Sequence, residues 1–185
     1  LLFKEDFRPA NVHKVLYALS PFLVFFIALL TYAVIPFGDF IRIGGVEYKL
    51  VVADLNVGVL YVLAIASLGT YGVVMGGWAS NNKYAFLGAV RSTSQMISYE
   101  ISMGLSIIGL MLIFSSLRLT DIVAGQGGAI WNWGFAIQPL GAILFIVAVF
   151  AETNRNPFDL PEGESEIVSG YHLEYSSMKF ALFFM

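Results

Sequence analysis

The chain has no cysteine in 185 residues. That absence excludes a disulfide framework, a thiolate zinc site and a cysteine-ligated iron–sulfur cluster, so any electrons it handles belong to partners. Charge is scarce too, at 12% of residues against 58% hydrophobic, with a mean hydropathy of +0.77. So little polar surface cannot cover a water-soluble globule, and a membrane protein is expected. No phosphate loop, dinucleotide fingerprint or Ser/His/Asp set is present, and no nucleic-acid partner is implied. His13 and His172 offer no metal-ligand spacing and read as interfacial polar residues. There is no internal repeat, low-complexity tract or interdomain linker, and no signal peptide at the start. The lack of an initiator Met and an end inside an apolar run suggest an excerpt of a longer protein.

What is present is a series of uncharged runs. Measured against the roughly 20 apolar residues that cross about 30 Å of hydrocarbon, they predict spans at 15–35, 55–79, 96–117 and 133–151, with a fifth from 176 onward. Such runs lack the period-2 alternation of a barrel, so the fold class is all-α, a polytopic helical membrane protein forming a single membrane domain over 1–185. Lys4, Arg8, Lys14, Lys83, Arg91, Arg155 and Lys179 then fall on one side, and Arg42, Lys49 and Arg118 on the other. The excess of basic residues places the first side in the cytoplasm or its topological equivalent.

Acidity is concentrated in one place. Residues 151–175 hold Glu152, Asp159, Glu162, Glu164, Glu166 and Glu174 with a single base, Arg155, a net charge of −5 against −3 for the whole chain. Asp159, Pro161 and Glu162 form a helix start, predicting a short helix over 160–168 that places Glu162 and Glu166 on one face. A solvated acidic loop is the bland alternative. Phe158, Ile167, Val168, Tyr171, Leu173 and Tyr175 favour a loop folded against protein, where crowded carboxylates exchange protons near neutral pH. Glu100, one turn inside the third predicted span, costs about 2.5–3.5 kcal/mol at mid-bilayer unless it snorkels to the interface. Ser94, Ser98, Ser102 and Ser106 recur every four residues, a stripe that close helix packing explains better than a hydrated path. Gly72 and Gly76 form a GxxxG packing step, and Trp131 and Trp133 read as belt aromatics.

Two segments carry a resemblance: GWASNNKYAFLGAVRSTSQMISYE (Gly77 to Glu100) and ETNRNPFDLPEGESEIVSGYHLEYSSMKFALFF (Glu152 to Phe184). With KEDFRP, VIPFG and ADLNVGVLY, they resemble the H-type membrane-subunit family of respiratory complex I, proton-pumping NADH:quinone oxidoreductase. The resemblance implies a bacterial plasma-membrane or mitochondrial inner-membrane subunit. It would wall the chamber for a quinone substrate, ubiquinone or menaquinone, beside other membrane-arm and peripheral-arm subunits and lipid, with FMN and iron–sulfur clusters in partner subunits. Matched position by position, proton coupling would fall on Glu100, Glu152, Asp159, Glu162, Glu164 and Glu166, while Arg91, Arg155 and Glu174 would line or brace the chamber. The chain alone would hold no complete active site. The alternatives are the homologous subunit of an energy-converting hydrogenase or ferredoxin-driven pump, and a scaffold whose acidic loop docks a soluble partner.

Overall fold

Backbone amides that cannot reach water close their hydrogen bonds locally, and the apolar runs accordingly fold as helices. The computed structural model describes residue 5, residues 8–159 and residues 170–183. Glu162, Glu164, Glu166 and the helix expected over 160–168 lie outside the described residues. Helix α1 covers Lys14–Thr31, α2 Gly58–Ala79 and α3 Lys83–Phe114, and these three are long and apolar enough to cross a membrane. After α3 come α4 (Leu119–Gln126), a 3-10 turn at Ile130–Asn132, α5 (Gly134–Ile137), α6 (Pro139–Glu152) and α7 (Ser177–Phe183).

Two boundaries and one connection differ from expectation. Hydropathy puts the start of the third span at 96, because Lys83 and Arg91 interrupt the apolar run. The helix instead starts at Lys83, since charged side chains do not stop a helix and Asn82 caps it by accepting from the Tyr84 amide at 2.9 Å. The fourth, expected over 133–151, breaks at Gln138, where Pro139 opens α6 as its first residue. In the first connection, Phe40–Ile43 (β1) pairs antiparallel with Val46–Lys49 (β2), a hairpin not anticipated from the sequence. Gly44 and Gly45 turn it at φ +61° and +85°, the positive values a two-residue hairpin turn requires.

Helices α1, α2, α3 and α6 pack in successive pairs, α1 on α2, α2 on α3 and α3 on α6, with α7 returning to α1. The GxxxG step is a packing contact. A Cβ at Gly72 would meet Val24 and Leu23 of α1, and one at Gly76 would meet Ser20 Oγ and the Phe183 ring. Ser20 Oγ donates to the Gly72 carbonyl at 2.7 Å across that contact. The serine stripe packs less than expected. Ser94, Ser98 and Ser102 are exposed and only Ser106 is buried. Ser94 and Ser98 satisfy their hydroxyls on the carbonyls of Val90 and Ser94, which removes the need for a neighbouring helix.

The connections gather at two ends. His13 N–H donates to the Ala79 carbonyl at 3.2 Å, bringing the start of α1 to the α2–α3 turn; Val59 N–H donates to the Leu117 carbonyl at 3.1 Å at the opposite end. The hairpin belongs to that opposite end, where the Ala53 amide donates to the Ala33 carbonyl at 2.8 Å. Asp54 accepts there from Thr120 Oγ1 at 3.0 Å, with Arg118 Nε at 3.7 Å and Lys49 Nζ at 3.4 Å. The Thr120 bond, helped by the two cations, holds the Asp54 carboxyl below the usual carboxylate range. Trp131 is 84% exposed, whereas Trp133 is only 41% exposed.

Candidate functional site

Helix α6 ends at Glu152, and a side chain from another helix finishes it. Gln95 of α3 directs its amide Nε2 to the Ala151 carbonyl at 3.0 Å, to Asn154 Oδ1 at 3.2 Å and to the Phe158 carbonyl at 2.9 Å. One side chain thus satisfies an orphan carbonyl of the α6 C-terminus and pins the turn that opens the acidic segment. Phe158 also meets the Tyr99 ring edge-on, centroids 5.3 Å apart. The first part of the acidic segment is therefore folded against α3, as its aromatic content predicts.

Glu100 lies on this same helix. With α3 starting at Lys83, Glu100 sits near the middle of a 32-residue helix rather than one turn from its beginning. Its Oε1 and the Oε2 of Glu152 are buried without a hydrogen-bond partner among the described residues, as is Thr93 Oγ1. Thr93 and Glu100 stand seven apart, two helical turns along one face. Glu100 and Glu152 lie near enough for one carboxylate's charge to act on the other. Of the side chains named from the sequence, these two are brought together; Asp159 is half-buried nearby in sequence, and Arg91 and Arg155 are exposed. Sequence alone does not single out Gln95 or Thr93. Gln95 gives no local signal because its partners are more than 55 positions away, whereas Thr93 could have been found by projecting α3 from its cap.

Glu174 serves a structural purpose. Asn82 Nδ2 donates to Glu174 Oε1 at 2.7 Å, and Tyr17 OH donates to the Glu174 carbonyl at 2.5 Å. Tyr17 stacks on Tyr175, centroids 4.3 Å apart and planes 6° from parallel, and Tyr175 OH donates to the Gly76 carbonyl at 3.3 Å. Burial pushes the Tyr175 phenol up, fixing it as a neutral donor. The far end of the acidic segment is thereby clamped to α1, α2 and the α2–α3 turn. His172 is buried rather than interfacial: it meets Tyr171 and Phe180 edge-on, and burial lowers its imidazole below the ordinary value. Gly88 lets this clamp approach, since a Cβ there would stand 2.9 Å from both the Gly170 carbonyl carbon and the Tyr171 nitrogen.

A separate apolar cavity of about 460 Å³ lies toward the hairpin end, lined by Leu63, Met103, Ile107, Trp133, Gln138 and Phe145 among others. None of the expected bracing residues Arg91, Arg155 and Glu174 lines it. Among the described residues, no cluster of His, Asp and Glu could hold a metal ion.

Residues 1–185 match a family model described as NADH dehydrogenase. The chain is 52% identical to an H-type NADH-quinone oxidoreductase subunit of Solibacter usitatus, covering 100% of this chain and 48% of that protein. It is 53% identical to an H-type NADH-quinone oxidoreductase subunit of Geobacter sulfurreducens, covering 100% and 55%. It is 54% identical to the H-type NADH-quinone oxidoreductase subunit of Rickettsia bellii, covering 100% and 52%. The chain thus spans about half the length of the curated relatives it matches.

Proposed function

The chain belongs to the NADH dehydrogenase family, matched along its whole length, and from that premise we propose that it is part of a membrane subunit that couples quinone reduction to proton movement. The carrying observation is the pair of unpartnered buried carboxylate oxygens on Glu100 and Glu152. A carboxylate shut away from donors costs several kcal/mol, and a second one within reach adds repulsion. Such a pair is relieved by holding a proton and is disturbed by any new charge placed nearby.

Quinone reduction supplies that charge. Two electrons entering a quinone from flavin and iron–sulfur groups of partner subunits create an anionic species that must take up protons. The quinone would be the substrate, and membrane-arm and peripheral-arm subunits the partners. In this reading the acidic segment, with Asp159, Glu162, Glu164 and Glu166, exchanges protons near the quinone, and Glu152 passes the change inward to Glu100. Gln95 keeps the end of α6 and the first turn of the segment in place, while Glu174, Tyr17 and Tyr175 anchor its other end. Arg91 and Arg155, both exposed at the same end, would face the quinone or the peripheral arm. The loop end would lie on the cytoplasmic or matrix side. The quinone-oxidoreductase names of the relatives support this enzyme over a hydrogenase-type pump.

Glu100→Gln and Glu152→Gln in the assembled complex test it. Quinone reductase activity and proton pumping should fall together, while electron transfer from NADH to a soluble acceptor stays intact. Unchanged quinone reduction and pumping in both single variants and the double variant would remove the pair from the mechanism.

A further inference from the structure

The hairpin between α1 and α2 has two unlike faces. Its register pairs Phe40 with Lys49, Ile41 with Tyr48, Arg42 with Glu47 and Ile43 with Val46. Directly opposed residues share a face, so Ile41, Ile43, Val46 and Tyr48 form one side, and Phe40, Arg42, Glu47 and Lys49 the other. The first side is uncharged, largely apolar and 46–64% exposed. The second is electrically closed: Arg42 Nη2 meets Glu47 Oε1 at 2.5 Å and lies over the Phe40 ring, and Lys49 is paired with Asp54.

Its position is constrained. The chain leaves α1 at Thr31 and enters α2 at Gly58, two helices of membrane-crossing length and apolarity, so both feet of the hairpin stand at the same membrane surface. Hydrogen bonds from Phe37 to Leu50 and from Ala53 to Ala33 staple the base to the end of α1. From that base the strands extend only about 17 Å, at about 3.3 Å per residue. Exposed Tyr32 and Phe37, stacked at 6.3 Å, continue the apolar surface from the helix end toward the hairpin.

We infer that this hairpin is an interfacial membrane anchor, with Ile41, Ile43, Val46 and Tyr48 seated at the boundary between lipid headgroups and acyl chains. A lipid surface fits because the charges of the polar face, Arg42, Glu47 and Lys49, are matched within their own pairs, leaving the exposed Asp39 at the foot as a charge outside them, while an open apolar face tethered beside the bilayer finds hydrocarbon within reach. The depth follows from the backbone. Each strand has one unpaired edge, and those amides and carbonyls need water, which the headgroup region supplies and the hydrocarbon core does not.

The test places a genetically encoded dansyl amino acid at position 43 or position 47 of the full-length protein in its native assembly, reconstituted in phospholipid nanodiscs. Lipids brominated on the acyl chains should quench the probe at 43 by about half and aqueous iodide should not, with the order reversed at 47. Iodide quenching at 43 would show a bare loop and overturn the inference. Shielding of 43 from both quenchers would show a protein cover and overturn it equally. Acyl-chain quenching at both positions would mean full insertion, which the interfacial placement forbids.

Discussion

Gln95 of α3 donates to the carbonyl of Ala151 at 3.0 Å, so the middle of one helix completes the last turn of another. Its amide also reaches Asn154 and Phe158, which makes it the junction between the helix scaffold and the acidic segment.

Replacing it should therefore loosen a specific stretch. Gln95→Leu leaves the Ala151 and Phe158 carbonyls without their donor, at a cost of about 1–3 kcal/mol. Hydrogen exchange should accelerate over residues 153–159 while the middle of α2 keeps its protection. Unchanged exchange in that stretch would show that other contacts hold it.

The carboxylate pair predicts non-additivity. Glu100→Gln or Glu152→Gln alone should raise the thermal midpoint, because either replaces a carboxylate oxygen that is buried without a hydrogen-bond partner among the described residues and beside a like group. The double variant should gain little beyond either single one, a coupling of about 1–2 kcal/mol. Strictly additive midpoints would mean that the two side chains do not interact.

Gly88→Ala should displace the clamped end of the acidic segment. The new methyl would meet backbone atoms of Gly170 and Tyr171, which cannot rotate away as a side-chain tip can. An overpacking cost of about 1–3 kcal/mol is expected, with faster proteolysis near residue 170. Gly104→Ala on the same helix is the control, since its nearest neighbour, Leu63 Cδ1, stands 4.0 Å from the added carbon.

Stability should decline on mild acidification through His172. Burial lowers its pKa from the ordinary 6.5, so the folded protein keeps the imidazole neutral over a range where the unfolded chain already binds a proton. Its contribution is complete above about pH 6.5 and is lost as pH falls toward the depressed folded value. Thermal midpoints across that window should fall less steeply in His172→Gln. Parallel slopes would assign the acid sensitivity to other groups.

Helix identity was legible from the apolar runs, and the acidic segment's contact with protein from Phe158 and Tyr175. Boundaries were less so, because hydropathy measures fitness for lipid while helix ends are set by caps. Asn82, a good N-cap, marks the true start of α3, which charge at Lys83 and Arg91 concealed. The Gly44–Gly45 turn between two short β-prone runs is a readable hairpin sign, easily hidden between two long apolar spans. Glu100 was recognisable as a costly side chain inside a span, and Glu152 as one member of the acidic run. Their proximity was not, since it depends on α6 packing against α3 through Gln95, a contact without any trace in local pattern.

The length of α3 has a mechanical consequence. It contains no proline and runs unbroken from the Gly88 contact with Gly170 and Tyr171 to Glu100, a distance of about 18 Å. A continuous helix of that kind is stiff along its axis, so a shove received at its N-terminal end arrives at Glu100 as a translation rather than being absorbed on the way. The unpartnered carboxylate oxygen of Glu100 is thus joined by one rigid strut to the clamp at Gly170 and Tyr171.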